Sequence, residues 1–218
     1  MSLFVLNEQL WFPPLTEADE DGLLAVGGDV TPERILYAYQ QGIFPWYSEE
    51  IPLWWSPDPR CVLFPAQLYI SKSMRTLLKR NAFKVTTNQA FTQVISACGT
   101  IERPGQDGTW LNADMQQAYT QLHQMGYAHS VEAWHNNTLV GGLYGLRIGQ
   151  VFFGDSMFST MSNASKYAFI SFVQQLQTEG VQLIDCQVYT DHLASLGATM
   201  IPRNDFIRYL RKWLPKTV

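Results

Sequence analysis

Two short stretches hold residues able to do chemistry. Asp185-Cys186-Gln187 closes the apolar run begun by Leu183-Ile184. On a strand the first and third of these side chains share a face while the middle one turns away, since side chains alternate with a period of two. A carboxylate and a carboxamide then converge on one spot, a pair suited to orienting and deprotonating a nucleophile. An unpaired carboxylate after Leu183-Ile184 is costly to bury, so Asp185 must be hydrogen-bonded or face a cleft, and holding a neighbouring loop is the role that spacing leaves open beside catalysis. Gly154-Asp155-Ser156-Met157-Phe158 is expected to end a strand at a sheet rim, where a second carboxylate would bind an amine. The same residues admit a serine hydrolase, with Ser156 as nucleophile, His129 or His192 as base and Asp185 as orienter. Against it, Phe158 stands where the G-x-S-x-G elbow needs its second glycine.

Other chemistries lack their residues. His123, His129, His135 and His192 show no H-E-x-x-H or comparable spacing, and Cys61, Cys98 and Cys186 form no C-x-x-C pair, so no metal site is expected. The cysteines read as reduced thiols, with Cys186 in the core. Gly27-Gly28-Asp29 and Gly141-Gly142 match neither G-x-G-x-x-G nor a P-loop and read as tight turns. The Q/R-x-x-G-x-G/A loop that cradles coenzyme A in ordinary acetyltransferases is missing too.

The elements that must position these residues follow from period and punctuation. Thr31-Pro32 opens a helix to about Gln41, stopped by Gly42. Ser71–Arg80 reads as a helix with Met74, Leu77 and Leu78 inward and Lys72, Arg75 and Lys79 stacked on one face. Arg80 and Lys84 extend that charge. After a helix at Gln89–Ala97 and a glycine-rich loop, Gly105 to Trp110, Asn112 caps another helix ended by Gly126. The period then changes to two: Ala128–Trp134, Leu139–Leu146 and Gln150–Gly154 form an antiparallel meander. Asn163 opens a long helix to about Thr178, Leu183–Val188 is a short buried strand, Asp191–Leu196 a short helix, Thr199–Ile201 a strand and Asp205–Trp213 a last helix. Strands, a long helix, a strand, a helix and a strand describe an α/β (α+β) domain with a mixed sheet, in the order of an acetyltransferase-like (GNAT) fold. The aromatic- and proline-rich start makes residues 1–61 a small N-terminal α/β domain and residues 62–218 the catalytic one.

A chain of 218 residues with 46% hydrophobic and 16% charged residues buries a sizeable core and is not disordered. No apolar run reaches a membrane span and the start lacks a basic leader, so a soluble cytoplasmic protein with no membrane partner, and a monomer, is expected. The net charge of -4 argues against indiscriminate nucleic-acid binding; a nucleic-acid partner must be met by a local basic stripe. A non-catalytic RNA-binding module is a rival that such a stripe and surface aromatics would satisfy.

With Gly42-Ile43-Phe44-Pro45-Trp46 and Trp54-Trp55-Ser56-Pro57-Asp58-Pro59-Arg60, these motifs run through nearly the whole chain in the order seen in leucyl/phenylalanyl-tRNA–protein transferases, which the sequence resembles. The resemblance implies transfer of Leu or Phe, Met less well, from Leu-tRNA or Phe-tRNA to proteins beginning with Arg or Lys, marking them for N-end-rule degradation. Aminoacyl-tRNA is then the activated co-substrate and no other cofactor is required. By the same resemblance Asp185 and Gln187 are catalytic, and Trp110 stacks the terminal adenosine. Leu143, Phe152, Met157, Phe169, Phe172 and Ile184 hold the transferred side chain. Gly154, Asp155, Ser156 and Thr190 contact the aminoacyl-adenosine or the peptide end, and Lys72, Arg75, Lys79, Arg80 and Lys84 meet the tRNA acceptor stem. Asp155 stands where the family pattern has Glu, and Thr190 where it has Asn.

Overall fold

The computed structural model describes residues 3–48, 50–101 and 111–215. Its first part is a four-stranded sheet. β1 (Phe4–Leu6) runs parallel to β2 (Leu23–Gly27), and after α1 (Pro32–Gln40) the short strands β3 (Phe44–Pro45) and β4 (Leu53–Trp55) complete the order β1-β2-β4-β3. α1 starts where Thr31 and Pro32 place it, the Thr31 hydroxyl accepting from the Arg34 N–H at 3.4 Å. It stops at Gly42, whose φ of +80° suits glycine.

The remainder builds a seven-stranded mixed sheet. In chain order its elements are β5 (Arg60–Leu63), α2 (Lys72–Lys79), β6 (Lys84–Thr87), α3 (Phe91–Thr100), α4 (Ala113–Gln124), β7 (Ala128–His135), β8 (Thr138–Ile148) and β9 (Val151–Ser159). They are followed by α5 (Ala164–Thr178), β10 (Leu183–Gln187), α6 (Asp191–Ala194), β11 (Thr199–Ile201) and α7 (Arg203–Trp213). The strand order is β11-β5-β10-β9-β8-β7-β6, antiparallel except for β9 and β10, which α5 connects as a parallel pair. The expected meander, the long helix after it and the short buried strand are present. The edge strand β6, the inserted β5 and the N-terminal strands were not expected, because each is short and shows little alternation.

Successive strand residues feed two cores, which places helices on both faces. Phe153, Leu183, Val62 and Tyr144 join α1, α3, α4 and α7 in one cluster. Phe152, Ile184, Cys61 and Leu143 join α2 and α5 in the other. The first cluster also holds Leu24, Tyr39 and Trp54, so the N-terminal sheet and the large sheet share one core.

β9 differs from its expected length, and the difference makes the site. It runs on through Ser159, paired with β8, instead of ending at Gly154. Its parallel pairing with β10 extends only from Leu183↔Val151 to Asp185↔Phe153. Beyond that point the two strands part. The pairing of β8 with β9 shifts register between Tyr144 and Gly145, and a Cβ on Gly145 would lie 2.0 Å from the Phe153 carbonyl oxygen, so only glycine fits there.

Candidate active site

A cavity of about 370 Å³ fills the opening between β9 and β10. Leu143, Met157, Phe169 and Ile184 give it an apolar floor, and Phe44, Pro45 and Trp46 form the opposite wall. Gly154, Asp155, Ser156, Asp185, Gln187 and Thr190 line it as well. Of the side chains expected to form the apolar pocket, Phe152 and Phe172 are not in its wall: they pack edge to face against each other, centroids 5.0 Å apart, within the core behind it. Trp110 lies outside the described residues. Thr190 serves two ends, lining the cavity and capping α6 through the Leu193 N–H at 3.2 Å.

The expected sharing of one face by Asp185 and Gln187 is corrected by a bulge. The pairing of β10 with β5 shifts register between these residues, and Gln187 takes a left-handed φ of +62°. Asp185 is wholly buried, and Arg60 grips it with two parallel bonds, Nε to Oδ1 at 2.8 Å and Nη2 to Oδ2 at 2.7 Å. Oδ1 also accepts the Gln187 backbone N–H at 2.9 Å. Arg60, equally buried, donates through Nη1 to the Gly42 carbonyl at 3.2 Å and lies between the rings of Phe44 and Phe206, 4.7 Å from each centroid.

The side chain of Gln187 turns to a different carboxylate. Its Nε2 donates to Asp155 Oδ1 at 3.1 Å, and the Tyr39 hydroxyl donates to the same oxygen. Tyr39 and Tyr119 are hydroxyl to hydroxyl at 2.8 Å, both fully buried. Asp155 Oδ2 is closed to solvent and has no hydrogen-bond partner. Burial raises the Asp155 carboxyl to about 7, against the hydrogen bonds from Tyr39 and Gln187 that favour its ionised form. Burial, and next the neighbouring Asp155 charge, push the Tyr39 phenol well above its ordinary value, so it stays a donor. Asp155 can therefore exchange a proton near neutrality, while Asp185 is tied into an ion pair.

That ion pair removes the hydrolase reading, because Asp185 is committed to Arg60 and orients no histidine. His192 Nε2 has no hydrogen-bond partner, and His129 Nδ1 pairs with Asn88 at 3.0 Å. Sequence reasoning missed Arg60, Tyr39, Tyr119 and Trp46. Arg60 carried a signal: a lone guanidinium opening the apolar Cys61-Val62-Leu63 must find a buried carboxylate, and Asp185 faced the same requirement. The tyrosines carried none, since on helices they read as core.

Lys72, Arg75, Lys79, Arg80 and Lys84 are all exposed on α2, its end and the start of β6, and none enters an ion pair with a described residue. The apolar side of α2, with Met74, Leu77 and Leu78, packs into the core that backs the cavity. Among the described residues no helix is long and apolar enough to cross a membrane, and no cluster of three or more His, Cys, Asp or Glu could hold a metal ion.

Comparison with known proteins adds independent findings. Residues 62–211 match the family described as leucyl/phenylalanyl-tRNA protein transferase, and residues 28–58 match the N-terminal domain of that family. A leucyl/phenylalanyl-tRNA–protein transferase of Christiangramia forsetii is 56% identical over 211 residues, covering 95% of this chain and 100% of the relative. One from Syntrophobacter fumaroxidans is 54% identical, covering 100% of this chain and 94% of its own length. Among solved structures, that of L-PGS from Bacillus licheniformis overlaps with a TM-score of 0.42 at 12% identity, covering 79% of this chain and 57% of that one. A GNAT-family acetyltransferase from Colwellia psychrerythraea overlaps with a TM-score of 0.39 at 14% identity, covering 66% and 52%.

Proposed function

The chain belongs to the leucyl/phenylalanyl-tRNA–protein transferase family and is an aminoacyltransferase, and from that premise we propose the substrates and the division of labour in its site. It moves Leu or Phe, and Met less well, from aminoacyl-tRNA to the α-amine of proteins beginning with Arg or Lys, as a monomer in the cytoplasm, marking them for N-end-rule degradation. The ester of the aminoacyl-tRNA supplies the driving force, so no further cofactor takes part. Residues 62–218 carry the reacting groups, and residues 1–61 supply the facing wall.

The observation that carries this reading is an apolar cavity ending at the Asp155–Gln187 hydrogen bond of 3.1 Å. The floor of Leu143, Met157, Phe169 and Ile184 suits a γ-branched, aromatic or thioether side chain. Each apolar group misfitted there costs about 1–3 kcal/mol, enough for preference but not exclusion. Trp46, 42% exposed at the cavity wall, offers a ring face to the terminal adenine, with Trp110 as the second aromatic implied by family likeness. The five exposed cations on and beside α2 suit acceptor-stem phosphates.

An α-amine has a pKa near ~8 and is already about a tenth neutral at pH 7. The neutral amine attacks the ester carbonyl carbon, and Asp155 takes one of the nitrogen's two protons as the bond forms, the other staying on the new amide. Gln187 commits its amide N–H to Asp155, leaving its carbonyl oxygen to accept from the incoming amine and orient it. When the tetrahedral adduct collapses, the bond to the ribose 3′-oxygen breaks and the proton held by Asp155 passes to that oxygen. Asp185 acts through the Gln187 backbone N–H that it accepts.

The test is single-turnover transfer of labelled Phe from Phe-tRNA to an Arg-initiated peptide, comparing the wild type with Asp155→Asn. Loss of about 10²-fold or more in rate is expected for removal of a general base. Undiminished transfer would take Asp155 out of the mechanism, and tRNA binding without any transfer by the wild type would favour the RNA-binding module.

A further inference from the structure

We propose that Arg60 is a positioning residue for aminoacyl transfer: its guanidinium clamps the bulge of β10 and so presents Gln187 to the amine. This deepens the aminoacyl-transfer reading and rests on it.

The argument starts from what the bulge demands. A non-glycine residue with φ of +62° is disfavoured unless the surroundings over-determine it. At Gln187 the restraint is the 2.9 Å bond from its own N–H to Asp185 Oδ1, which requires an immobile Asp185. A carboxyl group with no solvent exposure is costly to bury without a matched cation to hold it in place. Arg60 supplies it with both nitrogens of one edge, at 2.8 and 2.7 Å. The guanidinium is itself held on three further sides: by the Gly42 carbonyl after α1, by Phe44 of β3, and by Phe206 of α7. Three segments distant in sequence, at Gly42 to Phe44, Asp185 and Phe206, thus converge on one planar group. Its effect reaches the reaction through two bonds, guanidinium to carboxylate and carboxylate to the Gln187 N–H. From there the Gln187 side chain extends to Asp155.

A lysine cannot take this role. It would place a single ammonium where a planar fork makes two parallel bonds, and would not lie flat between two rings. The Asp185 side chain would lose its fixed orientation. A displacement of about 1 Å at Gln187 corresponds to roughly 10²-fold in rate. The tRNA-facing cations on α2 lie on the other core and would be spared.

The experiment compares wild type, Arg60→Lys and Arg60→Ala in steady-state transfer of Phe from Phe-tRNA to an Arg-initiated peptide, with thermal melts to establish folding. In Arg60→Lys, kcat should fall by ten- to a hundredfold, on the order expected for misalignment, while KM for Phe-tRNA stays within about threefold. In Arg60→Ala, millimolar guanidinium should restore kcat at least tenfold, whereas equal concentrations of urea or sodium chloride should not. Unchanged kcat in Arg60→Lys, or a folded Arg60→Ala that guanidinium leaves inactive, overturns the proposal. A readout independent of turnover separates its failure from failure of the transferase reading. The Gln187 amide proton, shifted downfield by its carboxylate bond in the wild type, should move upfield in Arg60→Lys even if no aminoacyl transfer is detected, and an unmoved resonance counts against the clamp.

Discussion

Replacing Tyr39 by Phe removes one hydroxyl from the Asp155 network and should displace the pH profile of transfer. Tyr39 donates to Asp155 Oδ1, so it stabilises the ionised carboxylate, and its loss must raise the pKa. A hydrogen bond to a charged group is worth about 1.5–3 kcal/mol, and one pKa unit is about 1.36 kcal/mol, giving a rise of roughly one to two units. Starting from about 7, the acid limb of kcat should move to about 8–9. Near neutral pH the ionised fraction then falls from about a half to between a hundredth and a tenth, a drop of roughly five- to fiftyfold in rate that is recovered as pH rises. Tyr119 and the Gln187 amide remain, which favours the lower end. The assay is single-turnover Phe transfer across neutral to alkaline pH, read on both proteins with the same peptide so that the α-amine's own titration is common to both. An acid limb that stays where it is, or moves to lower pH, refutes the assignment of Asp155 as proton acceptor. A uniform decrease at every pH would make Tyr39 a packing residue only.

The same carboxyl has a signature in stability. Its pKa rises from 3.8 to about 7 on folding, so the folded state binds the proton more tightly. The associated stability is present in acid and is lost as pH climbs from 3.8 to about 7, by up to about 1.4 kcal/mol per pH unit. Denaturant melts should show that slope in the wild type and not in Asp155→Asn. Asp185→Asn should destabilise by about 3–5 kcal/mol, because it strands the buried Arg60 charge; a melting temperature within a degree or so of wild type would contradict this. Gly145→Ala should cost about 3 kcal/mol or more by driving a methyl into the Phe153 carbonyl, which a wild-type thermal melt would disprove. Neutralising Lys72, Arg75 and Lys79 together should flatten the dependence of log Kd for Phe-tRNA on log salt, by roughly 0.7–0.9 for each phosphate that is no longer neutralised, and an unaltered slope would detach α2 from the RNA.

Much of the frame was legible in the chain, for reasons that differ by element. The caps at Thr31, Ser71 and Asn112 each accept the N–H three residues on, because capping is decided by a few neighbouring residues. The meander, the long helix and the Asp185 strand follow from periods of two and 3.6 sustained over many residues. The short strands β3, β4, β5 and β6 could not be read, as they owe their pairing to partners far away in the chain. At the site, that Asp155, Asp185, Gln187 and the apolar residues Leu143, Met157, Phe169 and Ile184 line one cavity agrees with what the family resemblance implies, and spacing alone did not reach it. The bulge was not legible, since the chain shows no glycine or proline at Gln187 to betray a left-handed residue. For the same reason the partnership of Gln187 with Asp155, and of Asp185 with Arg60, had to come from three dimensions. Phe152 and Phe172 illustrate the opposite error: both have the right period and chemistry, but each packs one layer behind the wall.

Phe206 is synthesised after every other described member of the site, and it forms one side of the slot that holds Arg60. Gly42 makes room for it, since a Cβ there would lie 2.7 Å from Ile207 Cδ1 and 3.1 Å from Phe206. A nascent polypeptide that has not yet released α7 from the ribosome therefore cannot assemble the Arg60 slot.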